Sequence, residues 1–301
     1  MANRIAPFRL RVSPHLVAAV ALALALSAAS GCRGPGVRPL GVFNSLGICG
    51  RAPAWSPDGR RVAYVQMREG RGDIAVVDLA TRKSRIVAAS EASDDCPAWS
   101  PKGDKIAFQS DRAGSMDIYV VSPASGRTTQ LTKAPSFDGF PAWSPDGTRI
   151  TYQSEASGHM NIWVMDADGD HKAPLTTGKA ADTTPAWSRD GKLVAFASRR
   201  AGRSNIWVMQ PTGTSPVRLT RSRQHEWRPA WSPDGRRIAS VRSSVKDTDI
   251  WVMTARGKHQ HPLTPAGARY FDPSWSPDGN WLVAERQVGA ESVLGLIPSH
   301  Q

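Results

Sequence analysis

The chain has 301 residues, enough for one sizeable core or two small domains, and a formal charge of +12. That excess would suit a nucleic-acid binder if it were clustered, but the 38 Lys and Arg residues run through every part of the chain, as on an ordinary solvated surface. Only three cysteines occur, none at zinc-ligand spacing, and no HExxH or GxSxG motif is present, so neither a zinc protease nor an α/β-hydrolase is encoded.

Residues 1–31 read as a lipoprotein-type signal peptide. Arg4, Arg9 and Arg11 form a basic leader without acids, and Leu16–Ser30 is an apolar run too short to span a bilayer comfortably. It ends in Ala29-Ser30-Gly31-Cys32, which resembles a lipobox with Ala29 where leucine is usual. Cys32 is the expected lipidation site, and residues 32–39 are then a short membrane tether. Arg33 after the cysteine favours the outer membrane in a cell with two membranes, and the outer face of the cell membrane otherwise. Export also places the chain where disulfides persist. Cys49 and Cys96 each precede a repeat motif in neighbouring repeats, so a bridge between adjacent loops is expected as one pairing.

From residue 40 to 301 the chain repeats. PAWSPDG (Pro53–Gly59), PAWSPKG, PAWSPDG, PAWSRDG, PAWSPDG and PSWSPDG carry Trp55, Trp99, Trp143, Trp187, Trp231 and Trp275 at intervals of 44 residues. Within the repeat at Pro141, Ala142-Trp143 is a short apolar strand and Ser-Pro-Asp-Gly a tight turn, with proline preset and glycine free to take positive φ. Arg149–Gln153 alternates as a half-buried strand, Asn161–Met165 is rich in β-branched and aromatic residues, and a last strand ends at Leu175-Thr176. Four strands per repeat and six repeats predict an all-β, six-bladed β-propeller of four-stranded antiparallel blades. After Trp275 there is room for only three strands, Trp281–Glu285 and Val293–Ile297 being the second and third. Leu40–Asn44 stands in the register of a fourth strand, so the N-terminal strand is expected to complete the last blade and close the ring. The tryptophans and turns are core elements on this reading, not a site.

PAWSPDGxxIAF followed by DIWVM and LT resembles the repeat of the TolB-like (WD-repeat-like) β-propellers, over about Leu40 to Ile297. The family's namesake carries an α/β domain before its propeller, for which Arg33–Pro39 leaves no room, and it partners Pal and TolA in the cell envelope. The resemblance implies a propeller that binds a protein or ligand, here an envelope protein or peptide, as a monomer and without a cofactor.

The loops entering each first strand and those between second and third strands open on one face, where a rigid scaffold carries variable residues. Five residues before the tryptophans stand Asp94, Asp138, Asp182 and Glu226, with Asp95 and Asp272 nearby and Phe140, His225, Trp227 and Phe271 beside them. These residues are the candidate partner-binding set. An acidic, partly aromatic mouth would suit a cationic group, a basic peptide or a divalent cation such as calcium. The same carboxylates would alternatively serve as loop caps, with Arg112, Arg199 and Arg200 near enough in register to neutralise them. The competing functional reading is a lyase or hydrolase with a metal at the mouth, for which His225, Asp182, Glu226 and Asp272 form the set that the register brings together.

Overall fold

The computed structural model describes residues 44–244 and 247–300. The signal, Cys32, the tether and Leu40–Phe43 lie outside them. Among the described residues every regular element is a strand. The chain opens with β1 (Asn44–Cys49) and then builds β2 (Arg51–Trp55), β3 (Arg61–Arg68), β4 (Arg71–Asp78) and β5 (Ser84–Ala88) as its first four-stranded antiparallel unit. The second is β6 (Asp94–Trp99), β7 (Ile106–Ser110), β8 (Asp117–Val121) and β9 (Thr128–Gln130); the third is β10 (Asp138–Trp143), β11 (Arg149–Ser154), β12 (Asn161–Asp166) and β13 (Ala173–Pro174). The fourth comprises β14 (Asp182–Trp187), β15 (Val194–Ser198), β16 (Asn205–Met209) and β17 (Val217–Arg218). β18 (His225–Trp231), β19 (Arg237–Ser243), β20 (Thr248–Thr254) and β21 (His261–Pro262) follow, then β22 (Arg269–Trp275), β23 (Trp281–Val288) and β24 (Glu291–Pro298). One parallel bridge, Thr248 to Arg269, joins these last two groups into an eight-stranded sheet.

β1 is the fourth strand beside β24, with Asn44 opposite Leu296 and Cys49 opposite Val293. It runs on to Cys49, beyond the end of the Leu40–Asn44 segment expected from the repeat, of which only Asn44 is among the described residues. The cause is the connection: only Gly50 separates β1 from β2. A Cβ on Gly50 would meet the Tyr64 ring at 2.5 Å, so the chain can pass there only without a side chain.

The repeated residues bind the units internally and to one another. In the Ser-Pro-Asp-Gly turn, Ser56 Oγ accepts from the Arg61 amide at 2.9 Å, and Asp58 accepts from the Arg60 amide at 3.0 Å. The tryptophans cross the seams between units. Trp99, Trp143 and Trp275 donate to the carbonyls of Ala54, Ala98 and Ala230 in the preceding unit at 3.0–3.2 Å. Arg61, Arg149 and Arg237 cover the rings of Trp99, Trp187 and Trp275 from the neighbouring unit. The Leu-Thr pair also has a role: Thr132, Thr176, Thr220 and Thr264 accept from the amides of Ile118, Ile162, Ile206 and Ile250. The first strands pack one against the next in the order β2, β6, β10, β14, β18, β22, and β22 packs on β2. Four-stranded antiparallel sheets set side by side in this way are the architecture of a propeller.

Candidate functional site

Each first strand slips register on its neighbour just before the tryptophan, a β-bulge, and the residue after the bulged one is proline, which has no amide to give to a ladder. The bulged residue stands three positions before the tryptophan: Ala52, Cys96, Phe140, Thr184, Arg228 and Asp272. All six take φ between 48° and 55°, a region that non-glycine side chains enter at a cost. These six residues, all different, converge on one cavity of about 210 Å³ together with the prolines that follow them. A second cavity of about 400 Å³ lies further along the same strands, lined by the Trp-Ser-Pro triplets, Arg189 replacing the proline in one unit. The tryptophans thus bolt seams and also wall the wider end of the channel.

Arg228 crosses the narrow end. Its Nε lies 2.8 Å from Asp272, its terminal nitrogens donate to Cys96 Sγ at 3.5 Å, and its guanidinium sits 4.3 Å from the Phe140 ring centre. Its amide donates to Thr184 Oγ1 at 3.2 Å. Burial raises the Asp272 carboxyl against the pull of Arg228, and burial pushes the Cys96 thiol up, so the sulfur stays protonated. One layer out, Arg51 pairs with Asp95 at 3.1 Å.

The carboxylates expected at a mouth are elsewhere. Asp94, Asp138, Asp182 and Glu226 lie inside the first strands and are buried. Asp94 takes Arg112 Nη2 on both oxygens at 2.7 and 2.8 Å; Asp182 takes Arg200 at 2.6 Å. Glu226 is held by Arg242 at 2.6 Å, by Asn205 at 3.2 Å and by Thr220. Asp138 has no arginine; burial raises its carboxyl, eased by the hydroxyls of Ser154 and Thr132. The amides of Asp138, Asp182 and Glu226 donate across the seam to Met116, Met160 and Ser204. The strands begin earlier than the apolar pattern indicates, and that carries these side chains off the loop face. Asp94, Asp182 and Glu226 are thus neutralised by an arginine of their own unit, as Arg112 and Arg200 were placed to do. Glu226 and the amides of Asp138 and Asp182 also bond across the seams.

Of the remaining candidates, Phe140 and Asp272 belong to the ring of six. Trp227 packs into the apolar cluster between the fourth and fifth units, and His225 and Phe271 are half-buried at the loop face. The set His225, Asp182, Glu226 and Asp272 is not brought together, because three of its members are locked in separate ion pairs. Among the described residues no group of three His, Cys, Asp or Glu is placed to hold a metal. The Cys49–Cys96 bridge does not form: Cys96 is a free thiol at the channel axis on an innermost strand, while Cys49 lies on the outermost strand of its sheet. The ring had a sequence signal that spacing alone could supply, namely one position that varies in every repeat immediately before Pro-Ala-Trp, or Pro-Ser-Trp in the sixth.

The model of the TolB beta propeller domain matches residues 48–172 and 155–298. Among curated proteins none matches the chain. A putative TolB from Agrobacterium tumefaciens is similar at 27% identity over 82% of this chain and 90% of that one, with a TM-score of 0.67. TolB from Acinetobacter baumannii is similar at 26% identity, covering 80% of this chain and 64% of that one, with a TM-score of 0.71. An oligogalacturonate lyase in complex with manganese shares the fold at 13% identity, over 83% and 90% of the two chains, with a TM-score of 0.61. Repeat, sheet architecture and family match agree: the chain belongs to the TolB β-propeller family.

Proposed function

We propose that the six units close into a six-bladed ring, latched by β1, and that this ring is an exported, lipid-anchored module that binds a protein of the bacterial cell envelope. The cyclic packing of the first strands and the pairing of β1 with β24 support the closed ring. The basic leader and the Gly31-Cys32 junction support export and anchoring. The observation that carries the binding reading is the contrast between constant and variable positions. Tryptophans, turns and buried carboxylates repeat in unit after unit, whereas the strained bulge position and the loops above it differ in each. A rigid, repetitive scaffold that spends its variation on one face is built for recognition.

Site-specific photo-crosslinking in cells tests this. A photoreactive residue at Glu155, Arg199 or Arg221 on the loop face is expected to trap one discrete envelope protein. The same residue at Asp168, Thr212 or Lys258, in hairpins on the opposite face, is expected to trap none. Adducts confined to the opposite face would overturn the reading.

A further inference from the structure

Three loops on the binding face form one continuous sector. Residues 177–181 enter the fourth unit, 199–204 join its second and third strands, and 221–225 enter the fifth. Backbone bonds tie them together: the Arg199 amide donates to Ala181 O at 3.0 Å and the Glu226 amide to Ser204 O at 2.9 Å. Asn205 Nδ2 also reaches Ser222 O at 3.4 Å. The 199–202 turn is closed by the Gly202 amide on Arg199 O at 2.9 Å, which sets Arg199 and Arg203 at its two ends.

This sector exposes Lys179, Arg199, Arg203, Arg221 and Arg223. Among the described residues none of the five has an ion-pair partner. Its loops contain no acid, and the two carboxylates beneath them, Asp182 and Glu226, are buried and already taken by Arg200 and Arg242. The loops of the first three units differ: they carry Glu69, Glu91, Asp111 and Glu155, and Arg71 there is engaged by Glu91 at 2.7 Å. The binding face is therefore polarised: among the described residues, five of its unpaired cations gather over the fourth and fifth units, whereas Lys133 and Arg269 stand singly at the third and sixth.

We infer that this sector is the docking surface for an acidic segment of the partner protein, an assignment that rests on the protein-binding reading above. Four of the five cations are arginines, whose planar guanidinium takes a carboxylate through two parallel hydrogen bonds. Hydrogen-bonding side chains (Thr177, Ser222, Gln224, His225) stand between them. Loops held by backbone bonds lose little freedom on binding. The aromatic residues of the sector, Trp207 and Trp227, are partly buried in packing, which leaves no platform on which bases could stack.

The test is fluorescence anisotropy with a labelled glutamate-rich peptide, on the folded mature protein. Arg199→Glu, Arg203→Glu, Arg221→Glu and Arg223→Glu combined should weaken binding at least about tenfold. A charge-matched variant on the opposite face (Arg60→Glu, Lys102→Glu, Lys192→Glu, Arg256→Glu) should stay within about twofold, and wild-type affinity should fall with added salt. Should the quadruple loop variant fail to fold, Arg221→Glu and Arg223→Glu as a pair provide the same comparison. Equal weakening by both faces reduces the effect to net charge and overturns the inference. So does tighter binding of a DNA oligonucleotide or of phosphatidylglycerol vesicles than of the peptide. Loop-face crosslinks that persist undiminished in the quadruple variant overturn the acidic assignment while leaving the protein-binding reading standing. Absence of crosslinks from every loop position overturns that reading, whatever the peptide does.

Discussion

A carboxylate shut away from water costs several kcal/mol unless its charge is met on the spot, and Glu226 is met by Arg242, Asn205 and Thr220. Removing Arg242 leaves that charge uncompensated, so Arg242→Ala should lower the unfolding free energy by roughly 3–5 kcal/mol in urea denaturation. A loss below about 1 kcal/mol would show that the pair is idle. Two aspartates give opposite pH behaviour. Burial, with help from Asp247, raises Asp249 to about 6. A folded-state value above the unfolded one means that its contribution is full at low pH and is lost as pH rises toward 6. Asp249→Asn should therefore raise the melting temperature at pH 8 and leave it unchanged near pH 4. Asp146 is held down to about 2 by Ser144 and Thr148, so its contribution is present above the ordinary aspartate range and disappears as pH falls through 2. At this scale the sequence misleads in one respect. An acid recurring five places before four of the six tryptophans looks like a functional ring, yet the residues on the axis stand three places before each tryptophan. On a pleated strand a bulge shifts which residue faces inward, and neither period nor composition reveals a bulge.

Among the elements, the hairpins between third and fourth strands carry the tightest geometric demand. Gly213 has φ +82°, and a Cβ there would lie 2.1 Å from Leu175 O in the preceding unit; Gly257 stands in the same relation to Leu219. Gly235, in a Ser-Pro-Asp-Gly turn, has φ +68° but open space around it. Gly235→Ala should cost only the left-handed backbone strain, about 1–2 kcal/mol. Gly213→Ala should cost distinctly more, because two backbones must also part; equal melting temperatures for the two variants would sink the idea that this hairpin is wedged against its neighbour. Turns and middle strands were legible, since Ser-Pro-Asp-Gly and Asp-Ile-Trp-Val-Met each have a local physical reason to turn or extend. The first strand was not. Ala142-Trp143 is all that alternation reveals of β10, because Pro141 and the left-handed Phe140 interrupt the pattern over the preceding residues.

For the molecule as a whole, the period of 44 was sufficient to place the units, because one sheet cannot cover its own faces and must stack on another. The polarity of the loop face was not recoverable, since it depends on which charges are buried in pairs and which are left over. The proposed membrane attachment is a separate matter, and on that proposal it depends on one residue. Cys32→Ser should move the protein from the membrane pellet to the soluble fraction, and an unchanged distribution would remove the lipid anchor from the proposal. The position of β1 also imposes an order in time. It is the first strand of the described chain to be synthesised, and its sheet partner β24 is the last. Until Val293–Leu296 arrives, one edge of β1 has no one to pair with, and a strand edge left open invites another chain. The segment Asn-Ser-Leu-Gly-Ile-Cys, with Gly47 at φ +68° and a break in register between Ser45 and Ile48, makes a poor template for a stranger. An irregular strand that waits safely, and pairs well only with the end of its own chain, suits a chain that is made from one end to the other.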